Sequence, residues 1–146
     1  MVATLLIGLY AGGVAFVVLA PSVARLPGPA YVRYWRALNV DHGRAMPPLL
    51  PAGIAALIVV TALSWRRGWF AFGAGAVALI LVILTVVLTL AGLGPLNRMA
   101  DAWDPDLLPA DWQEIRGRWQ NLHLVRTGLA LAAFVCLLTV QTFDRV

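Results

Sequence analysis

Four stretches of this chain are long and apolar enough to cross a lipid bilayer, and they constrain the fold more than any other feature. A transmembrane helix needs about 20 mostly apolar residues. The sequence predicts spans at about 2–24, 48–65, 69–93 and 122–142. Hydrophobic residues make up 61% of the 146 residues and charged residues only 12%, with a mean hydropathy of +0.82. This composition predicts an integral membrane protein.

The connections between the spans indicate how the helices are arranged. The second and third spans are joined by the tight turn "RRG", whereas the other two connections are roughly 25 and 28 residues long. Two helical hairpins of this kind close into an antiparallel bundle. We therefore predict an all-α protein: an antiparallel bundle of four transmembrane helices in a single domain over 1–146. Because the number of spans is even, both long connections lie at the same end.

The first long connection follows Pro21, which is expected to kink or stop the first span. Four of its residues share one face of a helix, at spacings of four, three and four: Tyr31, Trp35, Leu38 and His42. Aromatic rings on such a helix lie at the depth of the lipid headgroups. The sequence therefore predicts a short interfacial amphipathic helix over about 29–43.

The distribution of charge predicts an orientation in the membrane. The net charge of +4 comes from 11 arginines, with no lysine. Eight arginines lie towards the long connections and three towards the termini, and positive charge favours the cytoplasmic side. We expect a bacterial inner-membrane protein with its long connections in the cytoplasm. Because the arginines flank apolar spans, lipid contact explains them better than binding of nucleic acid.

The stretch "DWQEIRGRWQNLHLVRTG", residues 111–128, leads directly into the last span. Five of its residues are spaced four, three, four and three apart, and so form one stripe on a helix: Trp112, Arg116, Trp119, His123 and Arg126. An arginine at the centre of a membrane helix costs about 2.5–3.5 kcal/mol. We therefore expect the stripe to face the interior of the bundle, as one wall of a polar and aromatic pocket at one membrane face.

Other polar residues are candidates for the remaining walls of this pocket. Asn39 and His42 lie at the end of the predicted interfacial helix, and Asn97 follows the third span. Thr85 and Thr89 lie deeper, although threonines in membrane helices commonly bond to their own backbone. The single cysteine, in an apolar run, rules out a disulfide within the chain.

Each of these residues also has a simpler interpretation. Trp112 and Trp119 are compatible with an interfacial aromatic belt, and Arg116 with lipid headgroups. Asn97 is compatible with a helix cap. A histidine such as His123 more often makes ordinary hydrogen bonds than binds a metal, and the two histidines lack the short spacing of a dedicated metal site. The regular spacing of the stripe is the main argument for a site.

Several motifs resemble one family. They are the glycine-rich first span "GLYAGGVAFVVLAPSV", the segment "YWRALN" followed by prolines, "GPLN" after the third span, and a "W…H..VRT" pattern at the start of the fourth. The last pattern is the most informative, and consists of Trp119, His123, Arg126 and Thr127. Over nearly its whole length the chain resembles the small four-helix membrane proteins grouped with fungal anthrone oxygenases, most of whose bacterial members have no assigned function.

The resemblance implies insertion of oxygen into an activated aromatic methylene, which yields a quinone. His123 or His42 would take a proton, while Arg126 and Asn97 would stabilise the oxyanion. The reaction would need no cofactor, or would use iron or copper if His42 and His123 converge. Substrate contacts are assigned to five residues: Trp112, Trp119, Arg116, Trp35 and Asn39.

The sequence is also compatible with two other functions. The chain is also compatible with a non-enzymatic subunit of a larger membrane protein complex, or with a module that binds a lipid or pigment. The expected partners are the bilayer, a hydrophobic small molecule and either such a complex or further copies of the chain. A transporter is disfavoured because no predicted span contains an acidic residue.

Overall fold

The computed structural model describes residues 1–20 and 22–143. It contains five α-helices: α1 (Val2–Leu19), α2 (Gly28–Ser64), α3 (Trp69–Leu88), α4 (Gly94–Ala102) and α5 (Trp112–Phe143). Short 3-10 turns at Val23–Arg25 and Trp65–Arg67 precede α2 and α3, and a π-helical segment, Thr89–Leu93, joins α3 to α4. Pro21, which we expected to kink or stop the first span, is not among the described residues.

The four long helices form a closed ring. α1 packs against α2 and α5, and α3 packs against the same two helices. Neighbouring helices run antiparallel, as α1 and α5 show. Gly8 of α1 lies near Phe134 of α5, whereas Val14, later in α1, contacts His123, earlier in α5. All four are long and apolar enough to cross a membrane. The predicted all-α, four-helix membrane bundle is therefore confirmed.

The first half of the bundle differs from the sequence prediction. Residues 29–43 do not form a separate interfacial helix: they are the first part of α2, which continues as a single helix through Pro47, Pro48 and Pro51. Each proline removes one backbone hydrogen bond. Membrane helices tolerate this where packing and side chains compensate for the free carbonyls. The "MPPLLP" segment therefore does not separate an interfacial helix from the second span.

The connection between α4 and α5 folds over the first part of α2. The Arg36 guanidinium donates to the backbone carbonyls of Ala100 and Trp103, and Arg33 pairs with Asp106 at 3.1 Å. These bonds hold the connection against the aromatic rings at this end of the bundle. They place α4, which carries Asn97, beside α2 and α5.

Candidate functional site

The predicted stripe of α5 lies on the inward face of the bundle. Trp119, His123 and Arg126 are buried, while Trp112 and Arg116, nearer the start of the helix, are partly buried. His123 is only 2% exposed and Arg126 9%. The geometry matches the expectation that these polar side chains avoid lipid.

Asn97 is held by two tryptophans from different helices. The indole N–H groups of Trp35 on α2 and Trp119 on α5 both donate to its Oδ1, at 2.9 and 2.8 Å. Because both partners are donors, the amide oxygen must face them. The Asn97 amide nitrogen is thereby turned away from the indoles. It has no hydrogen-bond partner among the residues that the structure describes, and remains available as a donor.

The hydrogen bonds of His123 determine its tautomer. Nε2 lies 3.0 Å from the backbone carbonyl oxygen of Val14, which can only accept, so Nε2 carries the proton. Nδ1 lies 2.6 Å from a guanidinium nitrogen of Arg126, which can only donate, so Nδ1 carries none. His123 is therefore a neutral imidazole with both nitrogens engaged. Its ring also stacks parallel on Trp119, with centroids 5.0 Å apart.

Arg126 is a buried cation without a carboxylate partner. Its guanidinium donates to His123 and, at 3.3 Å, to the hydroxyl of Thr89. No carboxylate of the described residues lies within 4.0 Å of it, and the six acidic residues whose burial is described are all exposed. Its Nε–H is buried and has no partner. Natural proteins rarely bury a charge without a partner, and in membranes such residues mark functional sites.

The π-helical segment Thr89–Leu93 brings Thr89 to Arg126. Pro95 has no N–H, and in a regular helix its ring would clash with the carbonyl four residues earlier. A wider turn avoids this clash, and single π-turns occur frequently at functional sites. The Thr89 hydroxyl donates to the Thr85 carbonyl at 2.7 Å, which leaves its oxygen free to accept from Arg126. Tyr10 on α1 is buried beside Val14 and Ala130.

His42 has one nitrogen in use and one free. Nδ1 lies 3.0 Å from the backbone carbonyl oxygen of Leu38, so Nδ1 carries the proton and Nε2 has a lone pair. That Nε2 is buried and has no hydrogen-bond partner. His42 therefore has an unused proton acceptor, whereas His123 has none.

A cavity of about 420 Å³ is lined by the residues that carry these groups. Its polar wall consists of Asn39, His42, Thr89, Asn97 and Arg126. Its apolar wall, with the ring of Trp119, includes Leu38, Met46, Leu50, Leu90 and Leu93. Cavities of 300–1,000 Å³ with mostly apolar walls and a few placed polar groups are typical of small-molecule sites.

Three residues predicted to contact a substrate lie outside this cavity wall. Trp35 is behind Asn97, and its ring packs 5.1 Å from that of Trp119, between centroids. The Arg116 guanidinium lies 4.1 Å from the centre of the Tyr31 ring and 5.6 Å from that of Trp112. These side chains belong to, or pack against, the aromatic cluster that also contains Trp119. Asn39 lines the cavity and also donates to Asp101 at 3.0 Å.

The sequence analysis did not identify some of the groups that build this site. The Val14 carbonyl is backbone, so no side-chain pattern marks it. Met46 lies between the predicted interfacial helix and the predicted second span, and Leu50 lies in that span, where only lipid contact and packing were expected.

The ring nitrogens of His42 and His123 are not arranged to bind one metal ion together. A metal needs an unprotonated nitrogen from each histidine. His123 offers none while it bonds to Val14 and Arg126. Within the described part of the chain, no three His, Cys, Asp or Glu residues come together as ligands.

The four apolar helices, with a cavity lined by polar side chains at one end of the bundle, define an α-helical membrane protein with an internal cavity. A family model described as anthrone oxygenase matches residues 35–136, which include most of the cavity. The chain belongs to this family, as the motifs indicated. No curated protein and no solved structure matches the chain.

Proposed function

We propose that this protein is a membrane oxygenase that converts the activated methylene of a flat aromatic ketone, of the anthrone type, into a carbonyl. The observation that carries the proposal is a cavity lined by His42, Asn97 and Arg126, in which His42 Nε2 and Arg126 Nε are buried without a hydrogen-bond partner among the described residues. The family name supplies the type of substrate. The apolar wall suits a polycyclic ligand that partitions into the bilayer.

The groups around the cavity suit the removal of one proton. In an anthrone the methylene is acidified by the aromatic rings and the ketone, so its deprotonation places negative charge on the ketone oxygen. His42 Nε2 would take the proton. The amide of Asn97 and the Nε–H of Arg126 would donate to the resulting oxyanion, in a site of low polarity where such bonds are strong.

The oxidation balances without an external reductant. The anion gives two electrons to dioxygen as a carbon–oxygen bond forms, and the proton held by His42 completes a hydroperoxide. Loss of water, with the second hydrogen of the former methylene, leaves the carbonyl. The sum is one methylene plus O₂ giving one carbonyl plus water. The substrate supplies all of the electrons.

We further propose that the protein lies in a bacterial inner membrane with the cavity towards the cytoplasm. The eight arginines at the end with the long connections, against three at the other end, support this orientation.

The test is the oxidation of anthrone by protein purified in mild detergent without a chelator, with O₂ consumption and anthraquinone formation both recorded. Rates are corrected for spontaneous oxidation in protein-free detergent. We expect one O₂ per anthraquinone, and loss of the enzymatic rate in His42→Gln. Bound aromatic ligand without turnover would instead indicate a pigment-binding module.

Elemental analysis of the same preparation tests the chemistry independently. We expect full activity in preparations that contain far less than one iron or copper per chain. Activity that tracks metal content, and is lost with it, would contradict the proposed reaction.

A further inference from the structure

We infer that His123 is a positioning residue, which stays neutral and orients the Arg126 guanidinium towards the cavity. This inference rests on the proposed function, in which Arg126 stabilises the oxyanion. It departs from the sequence-based alternative in which His123 takes the proton. The groups that contact the two ring nitrogens and the ring face of His123 support this role.

A proton on Nδ1 of His123 would disrupt the arrangement. That nitrogen accepts a hydrogen bond from Arg126 at 2.6 Å. Protonation would remove the acceptor and place a second positive charge against a buried guanidinium that already has no carboxylate partner. A base in this position would have to break the bond to Arg126 before each proton transfer. His42, whose Nε2 is free, has no such requirement.

The other contacts of His123 fix its orientation from two helices. Its Nε2–H donates to the Val14 carbonyl of α1, and its ring stacks on Trp119 of the preceding turn. Trp119 in turn donates to Asn97. His123 and Trp119 therefore connect the two donors, Asn97 and Arg126, through a single chain of contacts. The contacts of the imidazole ring therefore determine the relative positions of these two donors, and this role needs no transfer of a proton.

This role predicts that an amide can replace the imidazole. A glutamine can accept from Arg126 with its oxygen and donate to Val14 with its nitrogen, but cannot act as a base. Leucine has similar bulk and can do neither. The pair His123→Gln and His123→Leu therefore separates positioning from proton transfer.

The experiment measures kcat and KM for anthrone oxidation by both variants, and the affinity of each for the product analogue 1,8-dihydroxyanthraquinone from its absorbance change. We expect His123→Gln to keep kcat within about tenfold, and His123→Leu to lose ~10²–10³ in kcat with little change in KM, as when an oxyanion donor is misplaced. A His123→Gln variant as inactive as His123→Leu, or a fully active His123→Leu, would overturn the inference.

A second measurement does not depend on turnover. Nitrogen NMR of ¹⁵N-histidine-labelled wild-type protein at neutral pH distinguishes protonated from bare ring nitrogens, and His123→Gln assigns the signals. We expect a protonated Nε2 and a bare Nδ1 at His123. The opposite tautomer, or an imidazolium, would overturn the inference. Failure of the wild-type protein to oxidise anthrone would remove the proposed function, and the NMR result would still decide the state of His123.

Discussion

The two ends of the bundle are built from the same four helices, yet they are held together differently. Near the termini, small and aliphatic side chains form the core: Ala3, Ile7, Leu57, Ala78, Val82, Ala133 and Leu137. At the end with the long connections, the core is aromatic and includes Tyr31, Trp35 and Trp119. The hydrogen bonds of the two ends show the same contrast.

Polar side chains near the termini mostly bond within their own helix. Ser64 donates to the Val60 carbonyl at 2.7 Å, and Thr139 to the Cys136 carbonyl at 2.8 Å. The bond between Gln141 and Thr4 is an exception that crosses from α5 to α1. At the other end, by contrast, Asn97, His123 and Arg126 all bond across helices.

This difference separates stability from function. Membrane helices gain little from hydrophobic burial against one another, since lipid is equally apolar, and close packing of small residues holds them together. The end near the termini follows this rule. The other end buries an unpaired guanidinium at a cost in free energy, which is expected where a cation serves a ligand. Substitutions at the two ends should therefore affect different properties.

The largest effect is expected from Arg126→Leu. Loss of a donor to the oxyanion should lower kcat for anthrone oxidation by ~10²–10³. Replacement of a buried, unpaired charge by an apolar side chain should leave the thermal unfolding temperature unchanged or raised. Arg118→Gln, at an exposed position of the same helix, is the control and should behave as wild type. A large loss of stability in Arg126→Leu would mean that the arginine is structural.

The reverse outcome is expected from Gly75→Ala at the other end. An added Cβ would lie 2.8 Å from the Thr61 hydroxyl oxygen and 3.3 Å from its Cβ and Cγ2, so rotation of Thr61 gives no relief. Overpacking of this kind costs about 1–3 kcal/mol. Thermal unfolding in detergent should show the loss, while the folded fraction keeps wild-type kcat. Gly73→Ala, with nothing within 4 Å of the added Cβ, should be neutral or stabilising.

A smaller effect on activity is expected from Trp119→Phe. The ring that stacks on His123 remains, but one of the two donors to Asn97 is lost. Because Trp35 still donates to the same oxygen, the cost is that of one hydrogen bond, about 1 kcal/mol, or a ~5-fold loss of kcat. Trp69→Phe, an exposed tryptophan near the other end, should leave kcat unchanged. Equal effects of the two substitutions would argue against a specific role for the Asn97 bond.

The smallest effect is expected from Thr89→Val, which removes the hydroxyl that accepts from Arg126 at 3.3 Å. Hydrogen bonds between membrane helices average about 0.6 kcal/mol. Kinetics should show a loss of kcat of only a few-fold. Thr139→Val, which removes a bond within one helix, should leave kcat as in wild type. A loss at Thr89→Val as large as that at Arg126→Leu would show that Thr89 itself contacts the substrate.

The sequence by itself determined the four spans, their antiparallel order and the inward stripe of α5. Length, hydropathy and helical spacing are local properties, and each span satisfies its own backbone hydrogen bonds in lipid. The same spacing correctly placed Trp119, His123 and Arg126 on one buried face. The predicted separation of an interfacial helix ending at about residue 43 from a span starting at about residue 48 was wrong, because α2 continues through the "MPPLLP" segment.

Only the tertiary structure decided what each polar group does. His42 and His123 are both single histidines in a helical pattern, and the sequence left either as the base. Their difference arises from their partners: the Val14 carbonyl of α1 and Arg126, on the same helix, occupy both nitrogens of His123, whereas Nε2 of His42 has no hydrogen-bond partner among the described residues. Backbone carbonyls and contacts over a hundred residues apart leave no mark in local spacing, because only the packing of α1 against α5 brings them together.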